Sequence, residues 1–520
     1  MIVATVALRR PAALERSVAG IPVLEIAGLT ALVALSLVLR TGQMHVHFWI
    51  DEGLSVGIAD RPLSDIPGVL RQDGSPPLYY MLLHVWMAVF GTSEAQTHAL
   101  SLVCALVTIP AAWWAGTSLF GKRTGWALAA LTAINPFLTS YAQETRMYAL
   151  VILFGTLCTA CFLHAYVFHR RAYRIPFGLL LAALLYTHNW TFFYGLALAL
   201  VVAAVYRVTT DRRAYLRDIA VGFGLAALLY LPWVPTLVFQ TLHTGAPWAT
   251  PPSFSTLVKS PNLLLGGQSG TYVVALIGTA GLLTLWTRSQ RDREVLVPAL
   301  AILAVVPIIA AWLLSQASPA WATRYLAMAL PPLLLLAAVG LTRSSRLGVA
   351  ALVLIAASWV YASGPSSKSN AHSVAEYMST RLGAGDIVLS TQPEQVPVLS
   401  YYMSPKLVYA NPFGVVKDTG VADWRDGAAH FDRTGIDTQL LPMIDRMKVG
   451  QRLLFVKPIV FKPERWRGPW TSRVRDRSIE YEGALRGDPR LELDAIVPTN
   501  FRTPGPNPLQ GLLFVKTKNG

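Results

Sequence analysis

The stretch LVPALAILAVVPIIAAWLL (Leu296–Leu314) contains no charged residue. It is about long enough to cross a hydrocarbon core of roughly 30 Å as a helix. Comparable apolar runs lie at Ile21–Leu39, Ile219–Phe239 and Tyr325–Leu341. Backbone polar groups inside a bilayer must satisfy one another, and runs of this length do so as helices. The sequence therefore predicts a polytopic membrane protein with an all-α membrane domain.

The composition and charge agree with this interpretation. Of 520 residues, 53% are hydrophobic and 14% are charged, whereas soluble domains carry about a quarter charged residues. The net charge of +15 would suggest nucleic-acid binding in a soluble protein. Here the cations cluster in short breaks between apolar runs, as cytoplasmic loops do, and we predict no nucleic-acid partner. The clusters are Arg9/Arg10/Arg16, Lys122/Arg123, Arg170/Arg171/Arg174, Arg207/Arg212/Arg213/Arg217, Arg288/Arg291/Arg293 and Arg343/Arg346.

Placing these clusters in the cytoplasm predicts an odd number of spans, roughly 11 to 13, with Ile21–Leu39 retained as the first helix. The segment Pro77–Gly91 is apolar but short for a full span. It is either a juxtamembrane or half-inserted helix, or the chain contains a further span. The external segments of this map are about Arg40–Ser75, Tyr141–Tyr148, the surroundings of His188, Gln240–Ser269 and Ser315–Arg324.

The composition changes near Ala362, which predicts two domains: a membrane domain over residues 1–361 and a small soluble α/β domain over residues 362–520. The second domain contains no Gly-rich phosphate loop, zinc-type cysteine set or internal repeat. Its predicted elements are a linker at Ser363–Asn370, a helix at Ser373–Leu382, and strands at Gly385–Leu389, Arg452–Val460 and Gly511–Lys516.

The carboxylates of the predicted external segments are the first candidates for chemistry. Asp51 and Glu52 follow an aromatic cluster just beyond the first span, at a level where acids contribute little to membrane anchoring. They are either solvated loop carboxylates or site residues. The stretch DGSPPLYY (Asp73–Tyr80) has two prolines that can begin a helix and present Asp73 at one defined point. Taken alone, this stretch is better explained as a plain loop-to-helix junction.

The stretch YAQETRMY (Tyr141–Tyr148) carries Glu144 and Arg146 between two apolar runs. They form either a structural ion pair or a substrate-facing acid with a phosphate-binding cation, since the planar guanidinium donates two hydrogen bonds to phosphate. Arg324 and Tyr325 begin a later span on the same predicted face. His188 is interpreted as a satisfied polar residue more readily than as a metal ligand.

These groups gather at the outer ends of spans, where a lipid-linked phosphate would lie. A transporter would be expected to place polar groups near the midplane of the bilayer. The pattern therefore favours an interfacial enzyme over the alternative, a lipid-glycan flippase or transporter. A third interpretation, a structural subunit of a cell-envelope assembly, stays open.

At these residues the chain resembles a known family. Four motifs in this order resemble those of membrane glycosyltransferases of the GT-C fold. They are a first helix followed by Asp51-Glu52, then Pro76-Pro77-Leu78-Tyr79-Tyr80, then Leu119-Phe120-Gly121-Lys122-Arg123, and then Gln143-Glu144-Thr145-Arg146-Met147-Tyr148. More closely, the chain is similar to bacterial relatives of protein O-mannosyltransferases and of the lipid A aminoarabinose transferase (glycosyltransferase family 39-like). The resemblance covers roughly residues 21–341.

The resemblance implies transfer of a sugar, mannose or a pentose, from a polyprenyl-phosphate donor to an acceptor hydroxyl with inversion, at the extracytoplasmic face of the cell membrane. It assigns catalysis to Asp51, with Glu52 beside it, and phosphate binding to Arg146 and Arg324. The acceptor is a glycan, glycolipid or protein, and we expect the soluble domain to hold it. The residues predicted to bind donor phosphate or substrate are Asp73, Tyr79, Tyr80, Gln143, Glu144, Arg146, Tyr148, His188, Arg324 and Tyr325.

Two departures from the family pattern concern phosphate and metal binding. Many relatives carry a His, or an acid–Lys pair, directly before Pro-Pro, whereas this chain has Asp73-Gly74-Ser75. If that position binds phosphate or metal in relatives, Asp73 substitutes for it only in part. Some relatives also bind a divalent metal, so a divalent metal stays open here, but the sequence shows no strong ligand cluster and we name no metal ligand and no certain cofactor.

Overall fold

The computed structural model describes residues 23–289, 292–360, 367–499 and 507–519. Its first part is almost entirely helical, as the apolar runs predict. The helices are α1 (Val23–Leu39), α2 (Ile50–Ala59), α3 (Ile66–Asp73), α4 (Leu78–Phe90), α5 (Glu94–Phe120), α6 (Lys122–Ile134), α7 (Pro136–Tyr141), α8 (Tyr148–Phe162), α9 (Arg174–Leu185), α10 (Thr191–Val208), α11 (Arg212–Tyr230), α12 (Val234–His243), α13 (Phe254–Leu264), α14 (Gln268–Val273), α15 (Thr279–Arg288), α16 (Val297–Ala317), α17 (Leu330–Arg343) and α18 (Ser345–Val360).

Seven helices, some of them continued by π or 3-10 turns, are long and apolar enough to cross a membrane by length and composition. Shorter apolar helices, including α1 and α18, accompany them. Their outward faces carry exposed aliphatic side chains, which in a soluble protein would be a liability but suit contact with lipid. Examples are Leu24, Leu196, Leu228, Leu276, Val349 and Val353. This confirms the predicted helical membrane region.

Contacts between helix ends show which ends lie on the same side of the helical bundle. At one end, Arg40 after α1 donates to Thr132 O of α6, and Asn135 before α7 donates to Leu264 O of α13. At the other end, Lys122 at the start of α6 pairs with Glu25 of α1, and Arg174 of α9 pairs with Asp218 of α11. Among the described residues, seven helices are suited to span a membrane, and the predicted total of 11 to 13 spans stays a prediction.

The helices α2, α3 and α4 lie between the end of α1 and the start of α5. Helix α4 covers the ambiguous segment Pro77–Gly91 and has only 13 residues. Tyr79, Tyr80 and Leu83 are buried on one face, while Val85 and Val89 are exposed. The short length and half-buried face agree with the juxtamembrane alternative.

The C-terminal part is a mixed sheet with helices, as predicted. The sheet order is β3-β2-β1-β4-β6-β5, with β1 parallel to β2 and β4, and antiparallel pairs elsewhere. The predicted boundary at residues 361 and 362 lies outside the described residues. The elements are α19 (Ala371–Met378), β1 (Ile387–Ser390), α20 (Val396–Tyr402), β2 (Val408–Asn411), β3 (Gly414–Val415), α21 (Gly427–Asp432), α22 (Leu441–Arg446), β4 (Arg452–Pro458), α23 (Pro469–Gly487), β5 (Leu491–Ile496) and β6 (Leu509–Lys516).

This sheet domain packs directly on the outer helices. A Cβ on Gly53 would lie 2.6 Å from Cα of Val398, and one on Gly57 would lie 2.4 Å from the carbonyl oxygen of Gly420. Only glycine allows α2 to approach the sheet domain this closely. The Tyr402 hydroxyl accepts a hydrogen bond from the Phe48 N–H at 2.7 Å. The sheet domain therefore lies at the end of the bundle that carries α2.

Candidate active site

The candidate site begins in the first turn of α2. Asp51 lies in this turn, two residues after Trp49, and its side chain is 17% exposed. Its Oδ2 lies 3.2 Å from Nη2 of Arg324 and 4.0 Å from Nε of Arg146. The unpaired backbone N–H groups at a helix N-terminus add positive potential there. Asp51 is thus an anion held between two guanidinium groups and not a solvated loop carboxylate.

The two arginines come from separate turns at the same end of the bundle. Arg146 lies between α7 and α8, and donates from Nη1 to the Asp51 carbonyl at 3.2 Å and to Ser55 Oγ at 3.0 Å. Arg324 lies in a 3-10 segment before α17 and keeps 25% of its side chain exposed. Its guanidinium lies within 6 Å of three aromatic rings, those of Trp49, Trp248 and Tyr325. These are positions from which two fixed cations can face a shared anion.

Glu52 points away from the cavity, because consecutive residues of a helix are turned by about 100°. Its side chain is wholly buried. Oε1 accepts hydrogen bonds from the Thr145 N–H at 2.9 Å and from Lys368 Nζ at 2.9 Å, and lies 2.7 Å from His98 Nε2. Burial alone would raise the pKa of Glu52, but Lys368 and His98 lower it to about 2. Glu52 is therefore buried beside Asp51 and is not among the residues that line the cavity described below.

Lys368 lies in the stretch predicted to be a linker, of which residues 367–370 are described. Its side chain is only 9% exposed. Besides Glu52, Nζ donates to the carbonyl oxygen of Gln143 at 2.9 Å and lies 4.0 Å from Glu144. The chain that leads into the sheet domain is therefore anchored in the floor of the site.

Glu144 is the second carboxylate near Asp51. Its Oε2 is buried and has no hydrogen-bond partner. Burial raises the pKa of Glu144 to about 7, with Glu52 raising it further and Lys368 opposing the rise. Glu144 therefore changes charge near neutral pH, as a candidate acid should.

Asp73 is the last residue of α3, and Gly74 follows it with a φ of +94°. This left-handed conformation suits glycine and ends the helix beside the cavity. Oδ2 of Asp73 is buried without a hydrogen-bond partner. Burial raises the pKa of Asp73, hydrogen bonding to Ser75 and the charge of Arg146 oppose the rise, and the charge of Asp51 adds to it. Asp73 is thus an electrostatic neighbour of both Arg146 and Asp51.

The remaining predicted site residues fall into two groups. Tyr79, Tyr80 and Tyr148 are buried, and their hydroxyl groups have no partner within the described chain. The amide of Gln143 is engaged inside the protein, accepting from the Gln43 N–H at 2.6 Å and donating to Thr139 O at 3.0 Å. None of these four lines the cavity described next.

His188 and Tyr325 face that cavity and pack together with ring centroids 4.9 Å apart. Nδ1 of His188 accepts from the Trp190 N–H at 3.1 Å. Burial, with Arg146 and Arg324 nearby, lowers the pKa of His188 to about 3. The imidazole is therefore neutral at physiological pH and leaves the positive charge of the site to the arginines.

A cavity of about 270 Å³ opens at this end of the bundle. Its walls come from α2, α12, the turns before α4, α8, α10 and α17, and the sheet domain. The predicted residues that line it are Asp51, Asp73, Arg146, His188, Arg324 and Tyr325. Further lining residues that sequence reasoning did not single out are Asn189, Trp190, Gln240, Trp248 and Trp424.

Sequence comparison gives no relative: no protein-family model matches the chain, and no curated protein sequence matches it. Comparison of structures does. The apo crystal structure of ArnT from Cupriavidus metallidurans matches with a TM-score of 0.63 at 14% identity, over 94% of this chain and 98% of ArnT. The chain has the GT-C fold.

Further GT-C structures agree. ArnT bound to undecaprenyl phosphate matches with a TM-score of 0.58 at 14% identity, over 94% of this chain and 97% of that one. The apo oligosaccharyltransferase of Archaeoglobus fulgidus matches with a TM-score of 0.55 at 13% identity, over 84% of this chain and 69% of that one. The mycobacterial arabinofuranosyltransferase AftD matches with a TM-score of 0.53 at 13% identity, over 95% of this chain and 40% of that one. At such identities the shared property is the fold.

Within this GT-C fold, the site residues that the sequence missed are Lys368, His98 and the new cavity-lining residues. Lys368 stands in a Gly/Pro/Ser-rich stretch and His98 in an apolar helix, so neither shows a local signal. Each acquires its role only from Glu52, which is far away in sequence. The described residues contain no group of three or more His, Cys, Asp or Glu side chains suited to a metal ion.

Proposed function

We propose that the protein is an inverting glycosyltransferase that moves a sugar, mannose or a pentose, from a polyprenyl-phosphate donor to an acceptor hydroxyl at the extracytoplasmic surface of the cell membrane. The acceptor is a cell-envelope glycan, glycolipid or protein. The observation that carries the proposal is Asp51 between Arg146 and Arg324 at the mouth of the cavity. The GT-C fold supports it, and so does the undecaprenyl phosphate bound by ArnT.

The location of the site favours an enzyme over a transporter. Its residues come from helix ends and from turns such as those of Arg146 and His188, not from broken helices at mid-bundle. A lipid phosphate anchored in the outer leaflet would meet the arginines at this level. The aliphatic side chains exposed on the bundle face the region where the prenyl chain would lie.

In the proposed reaction, Asp51 accepts the proton of the acceptor hydroxyl as its oxygen attacks the anomeric carbon. The new C–O bond forms while the bond from that carbon to the phosphate oxygen breaks. The bonding pair leaves with the polyprenyl phosphate, whose growing negative charge Arg146 and Arg324 stabilise. Attack opposite the leaving group inverts the anomeric configuration.

The distribution of charge supports the proposed orientation. The helix ends away from the site carry the cationic clusters, among them Lys122 with Arg123, Arg171 with Arg174, and Arg343. An excess of Lys and Arg marks the cytoplasmic side. We therefore place the site, the sheet domain and the acceptor on the extracytoplasmic side.

The test is transfer of labelled mannose or pentose from polyprenyl phosphate in native membranes, comparing wild type with Asp51→Asn at matched expression. We expect a loss of about 100-fold or more, within the range for removing acid–base catalysis. Asp494→Asn is the matched control, because Asp494 is an exposed residue on the edge strand β5. Equal transfer by Asp51→Asn and wild type would refute the mechanism. No transfer by wild type would refute these donors and make translocation of a lipid-linked glycan the next assay.

A further inference from the structure

The cavity has two chemically different walls. One carries the guanidinium groups of Arg146 and Arg324. Another carries the side chains of Asp73, Asn189 and Gln240, from the end of α3, the turn before α10 and helix α12. Each of these three has a buried side-chain oxygen with no hydrogen-bond partner: Oδ2 of Asp73, Oδ1 of Asn189 and Oε1 of Gln240.

The orientation of both amides is determined by their nitrogen atoms. Nε2 of Gln240 donates to the carbonyl oxygens of Leu70 and Ser75 at 2.8 and 3.1 Å. Nδ2 of Asn189 donates to the carbonyl oxygen of Gly74 at 3.0 Å. Turning either amide over would set one carbonyl oxygen against another, so the amide oxygens are the groups without a partner.

The three residues form one cluster, because both amides bind the backbone directly after Asp73. Gln240 has 3% of its surface exposed, and a buried acceptor without a donor is costly. Three such acceptors together call for a ligand that donates hydrogen bonds. A phosphate dianion only accepts them, so this wall does not suit phosphate.

Hydroxyl groups of a sugar do donate, and the cavity also offers aromatic surface to a sugar ring. Trp190, Trp248 and Trp424 line the same cavity. Ligand sites commonly combine aromatic surface with a few well-placed polar groups. Asp73 is also near enough to Arg146 and Asp51 to be affected by their charges, so its wall adjoins the place where the anomeric bond would break.

We propose that Asp73, Asn189 and Gln240 form the subsite that binds the hydroxyl groups of the transferred sugar. This inference rests on the proposed glycosyltransferase function and deepens it: the arginines bind the phosphate, and these three residues select the sugar. They are binding residues and take no part in proton transfer.

The test measures binding of two probes to the purified full-length protein: undecaprenyl phosphate, and undecaprenyl phosphate bearing mannose or arabinose. The variants are Asp73→Asn, which turns one acceptor into a donor at constant shape, and Gln240→Met. We expect each to weaken binding of the sugar-bearing probe that wild type prefers by about tenfold or more, the cost of one or two lost hydrogen bonds. Binding of undecaprenyl phosphate should change less than twofold.

Gln268→Met is the matched control, because Gln268 is an exposed residue at the start of α14, and thermal unfolding checks that each variant is folded. Equal losses for both probes, or no loss for either, would overturn the subsite while leaving the proposed function standing. Failure of wild type to bind either probe would overturn the proposed function and the subsite with it.

Discussion

At the scale of single residues, the site depends on two adjacent carboxylates with opposite surroundings. Asp51 faces the cavity between two guanidinium groups. Glu52 is wholly buried and compensated by Lys368 and His98. Because the two residues are adjacent in sequence, both were predicted to be catalytic. In helix α2, however, their side chains point in different directions and have different neighbours. Neutralising neighbours allow Glu52 to stay ionised where burial alone would protonate it.

Glu144 should make donor binding depend on pH. Burial raises the pKa of Glu144 to about 7, so its carboxyl group is neutral below that pH and anionic above it. An anionic Glu144 near Arg324 opposes a bound phosphate. We expect kcat/KM for the donor to fall about tenfold as pH rises through 7, the equivalent of one pKa unit of interaction. A pH–rate profile of wild type and Glu144→Gln measures this effect.

The Glu144→Gln profile should lack this fall, because an amide does not ionise. Glu376→Gln is the control: Glu376 is an exposed residue on α19. A Glu144→Gln profile with the same fall as wild type would show that another group titrates.

At the scale of elements, the site is assembled from ends and turns. The N-terminus of α2, the turns before α8 and α17, and the stretch before α19 each supply one charged group, namely Asp51, Arg146, Arg324 and Lys368. Loops carry function when rigid elements position them. Here the stretch before α19 is not a passive linker, since Lys368 ties it to α2 through Glu52.

Lys368→Met should move the fall in kcat/KM for the donor to higher pH. The positive charge of Lys368 lowers the pKa of Glu144 and that of Glu52, so removing it raises both. The fall in kcat/KM should then occur at higher pH than in wild type. Lys368→Arg keeps the charge and should restore the position of the fall. A profile that keeps its midpoint in Lys368→Met would contradict a role for Lys368 in tuning Glu144.

At the scale of the whole molecule, membrane helices and sheet domain form one body around the cavity. The hydrophobic core runs from the helices into α19 and α20 without interruption among the described residues. Trp424 of the sheet domain lines the cavity, and its backbone N–H donates a hydrogen bond to the backbone carbonyl oxygen of Gln72 at 3.0 Å. The sheet domain therefore contributes to the lining of the candidate site, and acceptor binding by this domain stays a prediction.

Gly57→Ala should loosen this docking. The new methyl group would lie 2.4 Å from the carbonyl oxygen of Gly420, a backbone atom that cannot move aside alone. Overpacking of this kind costs about 1–3 kcal/mol. We expect a lower midpoint of thermal unfolding, faster hydrogen exchange in α2 and α20, and reduced transfer.

Gly68→Ala is the matched control, because Gly68 lies in the neighbouring helix α3 and a Cβ there meets nothing within 4 Å. Gly57→Ala protein that exchanges and unfolds as Gly68→Ala does would contradict tight docking of the sheet domain on α2.

The sequence by itself determined the helical membrane region, the α/β character of the C-terminal domain and strands β1, β4 and β6. Long apolar runs are local signals, since each reflects the solvent that its own segment meets, and β1, β4 and β6 contain short apolar runs of the same kind. The strands β2 and β3 have only 4 and 2 residues and depend on their neighbours in the sheet. Strand β5 begins with an alternation of leucine and acidic residues, so its signal was present in the sequence and the prediction missed it. The sequence also predicted that Asp51, Arg146 and Arg324 lie on one side of the membrane. Cationic loops mark the cytoplasmic ends of the spans, and these three residues lie near the opposite ends.

Only the tertiary structure decided how these residues act together. It turned Glu52 inward onto Lys368 and His98, 316 and 46 residues away in sequence. It brought Asn189 and Gln240, 115 and 165 residues from their backbone partners, to the segment after Asp73. No local pattern records such meetings, because burial and charge compensation arise only when distant segments share one low-dielectric space.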